Sequence, residues 1–348
     1  MPRPMKYYLY TLKFSTPVHF GDIGSNLHDS AFTCSADIFF SALCAEARLC
    51  FGEYLADFIG KVQSGDIAIS SLFPYYLVPA DEENDDKLHL YLPKPLLHNE
   101  EDHQMLKPFA EMKGIMQQRK KMENIQFVRA SHLKAYLAAK KHNSAYEYEL
   151  PLFAEKMTSE KVNCRTDQPQ PYTVSGYRFT ERSGLYFIAG FKDDSDNELL
   201  QKMTESLGYS GIGGRRSSGM GKFELQQEPY EIQKQYAYYE DEKELAMMIA
   251  DETSRFQMNI APIIPAENEL SFLSSEDKMY SYQLLKRSGF IYSADMDCNL
   301  KRNTIYLIAE GSCFNHRMVG MMPNFTYEGL NHAVYRNGMG MFVGLGHE

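Results

Sequence analysis

Residues 207–225, LGYSGIGGRRSSGMGKFEL, hold six glycines, two adjacent arginines, a lysine and three serines, with no acid before Glu224. Residues of these types suit the holding of an anion. Glycines reach positive φ and let a ligand approach the main chain closely. Successive N–H groups in such a turn form an anion-binding concavity. Arg215 and Arg216 add charge and a planar fork that pairs with phosphate oxygens two at a time, and Ser217 and Ser218 add short hydroxyl donors. The spacing argues against two familiar nucleotide loops. A G-x-x-x-x-G-K-[ST] loop needs Lys and then Ser or Thr where Gly214 and Arg215 stand. In G-x-G-x-x-G, begun by Gly211 and Gly213, Arg216 takes the third glycine's place. Both patterns also run from strand into helix, whereas this loop leaves an expected helix and enters an expected strand. A loop built of Gly211, Ile212, Gly213, Gly214, Arg215, Arg216, Ser217, Ser218, Gly219 and Gly221 fits a phosphodiester backbone better than a single small anion. The alternative is a long turn with two solvated arginines.

Three other places carry groups of interest. Ser35, Ala36 and Asp37 open an expected helix, whose first N–H groups and dipole attract phosphate. Asp37 would repel a phosphate, and its simplest role is to satisfy that helix end. His19 has the chemistry of a general acid or base, or of a hydrogen-bond partner for RNA, but no lysine or tyrosine partner is fixed by spacing. Arg165, Tyr172 and Arg178 lie in or beside an expected hairpin over residues 166–178. There they can bind phosphate or stack on a base, or simply decorate a hairpin. No metal or cofactor is expected: Cys34, Cys44 and Cys50 are wrongly spaced, His98 and His103 flank acids in an expected loop, and neither HExxH nor a paired-cysteine pattern occurs.

The elements that must position these groups follow from pattern. KYYLYTLKFST (6–16) reads as a strand and SADIFFSALCAEARLCFG (35–52) as a helix with Ser35 at its N-cap. LFPYYLV (72–78) is a strand, two further strands surround a turn between residues 162 and 191, NELLQKMTESLGY (197–209) is an amphipathic helix, and KFELQQ (222–227) is a strand. The order is that of a ferredoxin-like, RRM-type domain over residues 1–230, with an inserted segment at about 79–180 and the glycine-rich loop at 208–221. The basic stretch 107–121 within the insertion is expected to be partly helical. After a polar linker, residues 231–348 hold four more strand-like segments and a short helix, a second and reduced copy of the same architecture. The fold class is therefore α+β with two ferredoxin-like domains and antiparallel sheets.

The formal net charge of -10 argues mildly against a free-standing nucleic-acid binder, yet a chain that holds RNA inside an assembly needs only a local basic surface. The acidic runs 81–86 and 240–244 read as solvated loops. Six cysteines without a disulfide framework and no signal-like or membrane-spanning run point to the cytoplasm.

A glycine-rich loop between the second helix and last strand of a ferredoxin-like domain resembles the RAMP superfamily of CRISPR proteins. HFG (19–21), FTCSADIFFSALCAEA (32–47), LFPYY with YLPKP, TDQPQPYTVSGYRF (166–179), LLKRSGF (284–290), GSCF (311–314) and HAVYRNGMGMFV narrow the resemblance. They match the family of the fourth subunit of the Csm (type III-A) effector complex, a relative of the Cas5 group. The resemblance implies a non-catalytic subunit that holds the 5′ repeat-derived tag of crRNA and docks the large polymerase-like subunit and the first backbone subunit. It places His19, Phe20 and Gly21 beside the loop as RNA contacts. The alternative within the superfamily is a metal-independent crRNA-processing endoribonuclease that uses His19.

Overall fold

The structure, a computed structural model, describes residues 4–21, 30–80, 87–97, 109–142, 144, 146, 149–163, 169–233, 235, 237–273, 281–291, 300–325 and 332–346. Its main elements are β1 (Lys6–Phe14), α1 (Ala36–Cys50), α2 (Leu55–Ser64), β2 (Ile67–Ile69), β3 (Phe73–Val78), β4 (Lys87–Pro93), α3 (Phe109–Glu123), β5 (Phe127–Arg129), α4 (Leu133–Lys141), β6 (Ala154–Asn163), β7 (Gln170–Phe179) and β8 (Ser183–Phe191). They continue with α5 (Asp194–Ser210), β9 (Phe223–Leu225), β10 (Tyr230–Glu231), α6 (Glu240–Ala250), β11 (Gln257–Asn259), β12 (Leu284–Arg287), β13 (Ile305–Ile308), β14 (Cys313–Phe314) and β15 (Phe342–Gly344).

The large sheet has the order β9-β1-β8-β3-β4-β5, with β10 beside β1 and β2 beside β8. Its neighbours are antiparallel: β1 sets Leu12 opposite Leu185 on one side and opposite Leu225 on the other, and β8 sets Ser183 opposite Tyr76. β8, SGLYFIAGF, is buried at every residue. A run with little polar alternation is what a strand covered on both faces requires. Leu185, Phe187, Ala189 and Phe191 point to one face, where Phe39, Phe40 and Leu43 of α1 and Leu200, Met203 and Leu207 of α5 meet them. Tyr186 and Ile188 point to the other, against Tyr136 of α4, Leu245 and Ile249 of α6, Met258 of β11 and Val343 of β15. Successive side chains on a strand alternate faces, so one strand feeds both layers.

The strands expected at 6–16, 72–78 and 222–227 and the helices expected at 35–52 and 197–209 appear as β1, β3, β9, α1 and α5. Ser35 takes the N-cap position of α1, but its side chain makes no capping hydrogen bond. α5 starts on Asp193, whose carboxylate accepts from the Ser195 N–H at 3.0 Å. The segment 79–180 adds β4 and β5 to the same sheet and sends out the ribbon β6–β7, which pairs Ala154 with Phe179 and Asn163 with Gln170. That ribbon is longer than the hairpin expected at 166–178. β6, AEKMTSEKVN, is mostly exposed and lacks apolar alternation, so nothing in its pattern marked it as a strand.

The run 240–244 also departs from expectation. It opens α6, and Asp241 is fully buried instead of solvated. A carboxylate can be buried when it is paired and hydrogen-bonded. Asp241 accepts from Arg129 Nε at 2.8 Å, the Leu90 N–H at 2.9 Å and the Ser131 N–H at 3.0 Å. The acidic run 81–86 lies outside the described residues.

Candidate nucleic-acid interface

Single-sheet RNA binders of the RRM type stack bases on an open sheet face. Here both faces of the sheet are covered, so an anion-holding surface has to come from connections at its end. Three segments meet there: residues 15–20 leaving β1, the loop between α5 and β9, and the β6–β7 ribbon.

The loop begins where α5 ends on Gly211, at φ 82, with the Gly211 N–H donating to the Leu207 carbonyl at 2.7 Å. Ile212 then drops its side chain into the core, fully buried. This alters the expectation for Ile212, whose side chain anchors the loop and is not offered to a ligand. At Gly221, φ 81, an added Cβ would lie 2.0 Å from the Ile212 carbonyl oxygen, so only glycine closes the loop there. The Gly221 N–H donates to the Pro17 carbonyl at 2.8 Å, and the Lys222 N–H to Thr16 Oγ1 at 2.9 Å. The N–H groups of Gly211, Ile212, Gly214, Ser218, Gly219, Met220 and Gly221 are all used within the protein. What the loop presents is therefore chiefly side chains, half-buried Arg215 and Arg216 and exposed Ser217 and Ser218, rather than a full row of amides. Arg215 adopts φ 62, the one left-handed non-glycine residue among those described. That conformation costs roughly 1–2 kcal/mol, and it aims the guanidinium over the ring of Tyr172, 5.2 Å from its centroid.

His19 lies beneath this contact. The Gly214 N–H donates to its carbonyl at 2.8 Å, and its Nδ1 lies 2.7 Å from the Ser175 carbonyl oxygen on β7. Val18 and Tyr177 exchange main-chain hydrogen bonds of 2.8 and 2.9 Å. Gly176 packs so tightly that a Cβ would stand 2.7 Å from Met220 Cε and 2.8 Å from the Val18 carbonyl oxygen. Gly211, Gly213, Gly214, Arg215, His19 and Tyr172 are thus brought to one place from three distant segments. Phe20 is buried in the core, Gly21 and Arg178 are exposed, and Arg178 stands opposite Glu155 on the ribbon. Arg165 lies outside the described residues, as do His98, His103, Cys164 and Cys298. Sequence reasoning missed Thr16, Pro17 and Ser175, which act through main-chain or hydroxyl groups that residue type does not flag.

The start of α1 is built differently from expectation. Ser35 is half-buried, Ala36 is buried and gives its N–H to Ser71 Oγ at 2.9 Å, and Asp37 is fully buried. The Asp37 carboxylate accepts from Arg287 Nε and Nη2, both at 3.1 Å, and from Arg336 Nη1 at 2.9 Å. Burial works against the Arg287 charge, but the Asp37 carboxylate outweighs it and raises the pKa. Asp37 and Ala36 therefore have no surface to offer RNA. Asp37 joins α1 to the chain beyond residue 284, and a buried carboxylate in a first helical turn was the signal that a cation must face it. Burial pushes the Cys34 and Cys44 thiols well up and holds Cys313 at about 12, which leaves them protonated and unreactive. Among the described residues no three His, Cys, Asp or Glu side chains cluster as metal ligands. No helix among them is long and apolar enough to cross a membrane.

Residues 252–345 match the model of the CRISPR Csm4 C-terminal domain. The chain is 27% identical over 341 residues to the Csm4 protein of Streptococcus thermophilus, covering 98% of this chain and 99% of that one. It is 29% identical over 336 residues to the Csm4 protein of Mycobacterium tuberculosis, covering 94% of each. Residues 252–345 thus carry the Csm4 C-terminal domain pattern, and the chain is similar to Csm4 proteins along nearly its whole length. The resemblance drawn from its sequence, to a subunit of the type III-A CRISPR effector, therefore holds. Its fold is also that of solved relatives. It matches a chain in the crystal structure of a Csm3-Csm4 subcomplex of the type III-A CRISPR-Cas interference complex at TM-score 0.58 and 18% identity, covering 97% of this chain and 98% of that one. It matches a chain in the crystal structure of a Csm1-Csm4 cassette in complex with pppApA at TM-score 0.57 and 17% identity, covering 99% of each.

Proposed function

We propose that this Csm4-like chain is a non-catalytic RNA-binding subunit of a type III-A CRISPR effector, active in antiviral defence in the cytoplasm. It grips the repeat-derived 5′ tag of crRNA with the glycine-rich loop and the ribbon beside it. The observation that carries this is the seating of Arg215 over Tyr172 at 5.2 Å, one residue from a Gly214 N–H bound to the His19 carbonyl at 2.8 Å. A cation held on an aromatic ring beside a bare imidazole edge offers a strand phosphate contact and stacking together, the pair of interactions that single-stranded nucleic acid takes.

We read β1, α1, β3, β8, α5 and β9 as a ferredoxin-like, RRM-type core, because that chain order and the sheet order β9-β1-β8-β3 belong together. Residues 231–348 are read as a second, reduced unit that seals the face an RRM would leave open. The relatives crystallised as Csm3-Csm4 and Csm1-Csm4 assemblies support docking of this chain to a backbone subunit and to the large subunit. The endoribonuclease reading is less well supported. His19 is buried and gives its Nδ1 proton to a main-chain carbonyl, which suits positioning better than proton shuttling.

The test is binding of a labelled single-stranded RNA carrying the 5′ tag. Each phosphate contact lowers log K by about 0.7 per decade of salt. Arg215→Ala with Arg216→Ala is expected to flatten the slope by about 1.4, so that the wild-type advantage shrinks roughly sevenfold between 50 and 200 mM salt. An unchanged affinity and slope removes the loop from the RNA site.

A further inference from the structure

We propose that His19 presents its Nε2 as a hydrogen-bond acceptor to a nucleotide held at the loop, and that it reads RNA by accepting from the ribose 2′-hydroxyl. The inference rests on the crRNA reading above and adds to it the group that tells RNA from DNA.

The proton on the other ring nitrogen sets the tautomer. Nδ1 lies 2.7 Å from the Ser175 carbonyl oxygen. A carbonyl oxygen only accepts, so Nδ1 carries the hydrogen, and in the neutral ring Nε2 is then an acceptor. The residue is 7% exposed. Among the described residues nothing donates to Nε2. A hydrogen bond made in so sheltered a place counts for more than one in water, and its absence costs more.

Gly214 helps to fix the ring in place. A Cβ at this position would stand 2.7 Å from His19 Cδ2 and 3.6 Å from Nε2. Unlike Gly211, Gly213, Gly219 and Gly221, Gly214 is not at positive φ. Its backbone conformation does not demand glycine. What demands glycine is the close approach of the imidazole, which packs against the Gly214 main chain where a methyl would strike Cδ2.

The neighbouring groups limit what can approach Nε2. A phosphate oxygen is itself an acceptor and is not bound by an acceptor nitrogen. Arg215, the next residue, stands ready for the phosphate over Tyr172. A sugar hydroxyl lies within a few bonds of its own phosphate, and of the sugar groups the 2′-hydroxyl is the one DNA lacks. A base N–H offers the same donor chemistry and is the second source to be separated by experiment.

The experiment measures anisotropy of the full chain with a labelled tag RNA at about pH 8, above the ordinary histidine range. Its arms are single 2′-deoxy substitutions along the tag and, in parallel, base analogues lacking one exocyclic amine. The variant is His19→Asn, whose amide still donates toward the Ser175 carbonyl but carries nothing in place of Nε2. A melt of each variant checks folding. Gly214→Ala, whose methyl would strike Cδ2 and push the ring out of register, serves as the second variant should His19→Asn fail to fold. One lost neutral hydrogen bond is worth roughly a three- to tenfold change in affinity. The expected result is a loss of that size at one deoxy position in the wild type and none at that position in the variant. A loss confined to a base analogue, again absent in the variant, supports acceptance by Nε2 but assigns the donor to a base and overturns the 2′-hydroxyl. RNA that binds with no sensitive position, or with the same sensitivity in the variant, overturns the inference alone. RNA that does not bind the wild-type chain overturns the crRNA reading and this inference with it.

Discussion

Asp37→Asn tests how the two ends of the chain are held together. The side chain keeps its shape but loses its charge, and one oxygen becomes an NH₂ that faces guanidinium donors. Asp37 is fully buried, and the side chains of Arg287 and Arg336 are only 12% and 6% exposed. Breaking a buried pair by removing one partner costs about 3–5 kcal/mol, because the charge left behind has neither water nor a counter-ion. Loss of the acid from the first turn of α1 adds about 0.3–1 kcal/mol. Unfolding entropy is about 2.1 cal/mol/K per residue. For 348 residues melting as one unit, each kcal/mol is therefore worth roughly 1.4 °C. The pair term alone then lowers the melting temperature by roughly 4–7 °C.

The assay is a thermal melt together with RNA binding well below the melting range. The expected result is the drop in melting temperature with RNA affinity within about twofold of wild type, since no part of Asp37 reaches the surface. Arg287→Met is expected to cost less in the Asp37→Asn background than alone, because neighbours that share a network are not additive. A melting temperature within about 1 °C of wild type refutes the structural account of the triad. An unchanged melt with a tenfold loss of RNA affinity would place Asp37 at the RNA after all.

Gly219→Ala and Gly221→Ala separate a loop that is merely flexible from one that is built. Both sit near φ 80, but a Cβ at 219 meets nothing within 4 Å, whereas at 221 it strikes the Ile212 carbonyl oxygen. The first should cost about 1 kcal/mol and keep RNA binding, the second several kcal/mol with binding lost, and equal effects in melts and binding curves would disprove the close packing. Burial, with Arg129 beside it, holds His89 down at about 4. The unfolded chain takes up that proton near pH 6.5 and the folded chain does not, so stability falls as pH drops from about 6.5 toward 4. His89→Gln should flatten that part of the melting-temperature profile, and superimposable profiles would show that His89 does not carry it.

Much of the frame was legible because local pattern and burial agree. β8 is apolar throughout, and both faces of the sheet are in fact covered. The glycines and arginines of 207–225 announced a loop of unusual chemistry, and Tyr172 was singled out on the ribbon. What could not be read is what arrives from far along the chain. The cations that neutralise Asp37 lie 250 and 299 residues away, so the helix start looked like a phosphate site when it is the anchor of a buried ion triad. Asp241 looked solvated because its partners, Arg129 and two main-chain N–H groups, belong to other elements. In both cases the sequence displayed a charge and only the fold supplied its counter-charge.

The same placement of charge bears on how an acidic chain can hold a polyanion. With a formal net charge of -10, its far field opposes RNA. At physiological salt that field is screened over about 8 Å, so what matters at contact is which charges are near. Around the loop these are Arg215, Arg216, Lys222 and Lys161, the last opposite Tyr172 on the ribbon, set against Glu224 and Glu160. Asp37 and Asp241, by contrast, are buried against their own arginines. Under the proposed function, capture from bulk solution would be slow, while a tag delivered to the loop would meet Arg215 over the Tyr172 ring, with His19 against the neighbouring Gly214. That division suits a subunit whose RNA is brought to it within an assembly. A neighbour that docked at this end and shut out solvent would lengthen the reach of its few cations by lowering the local dielectric.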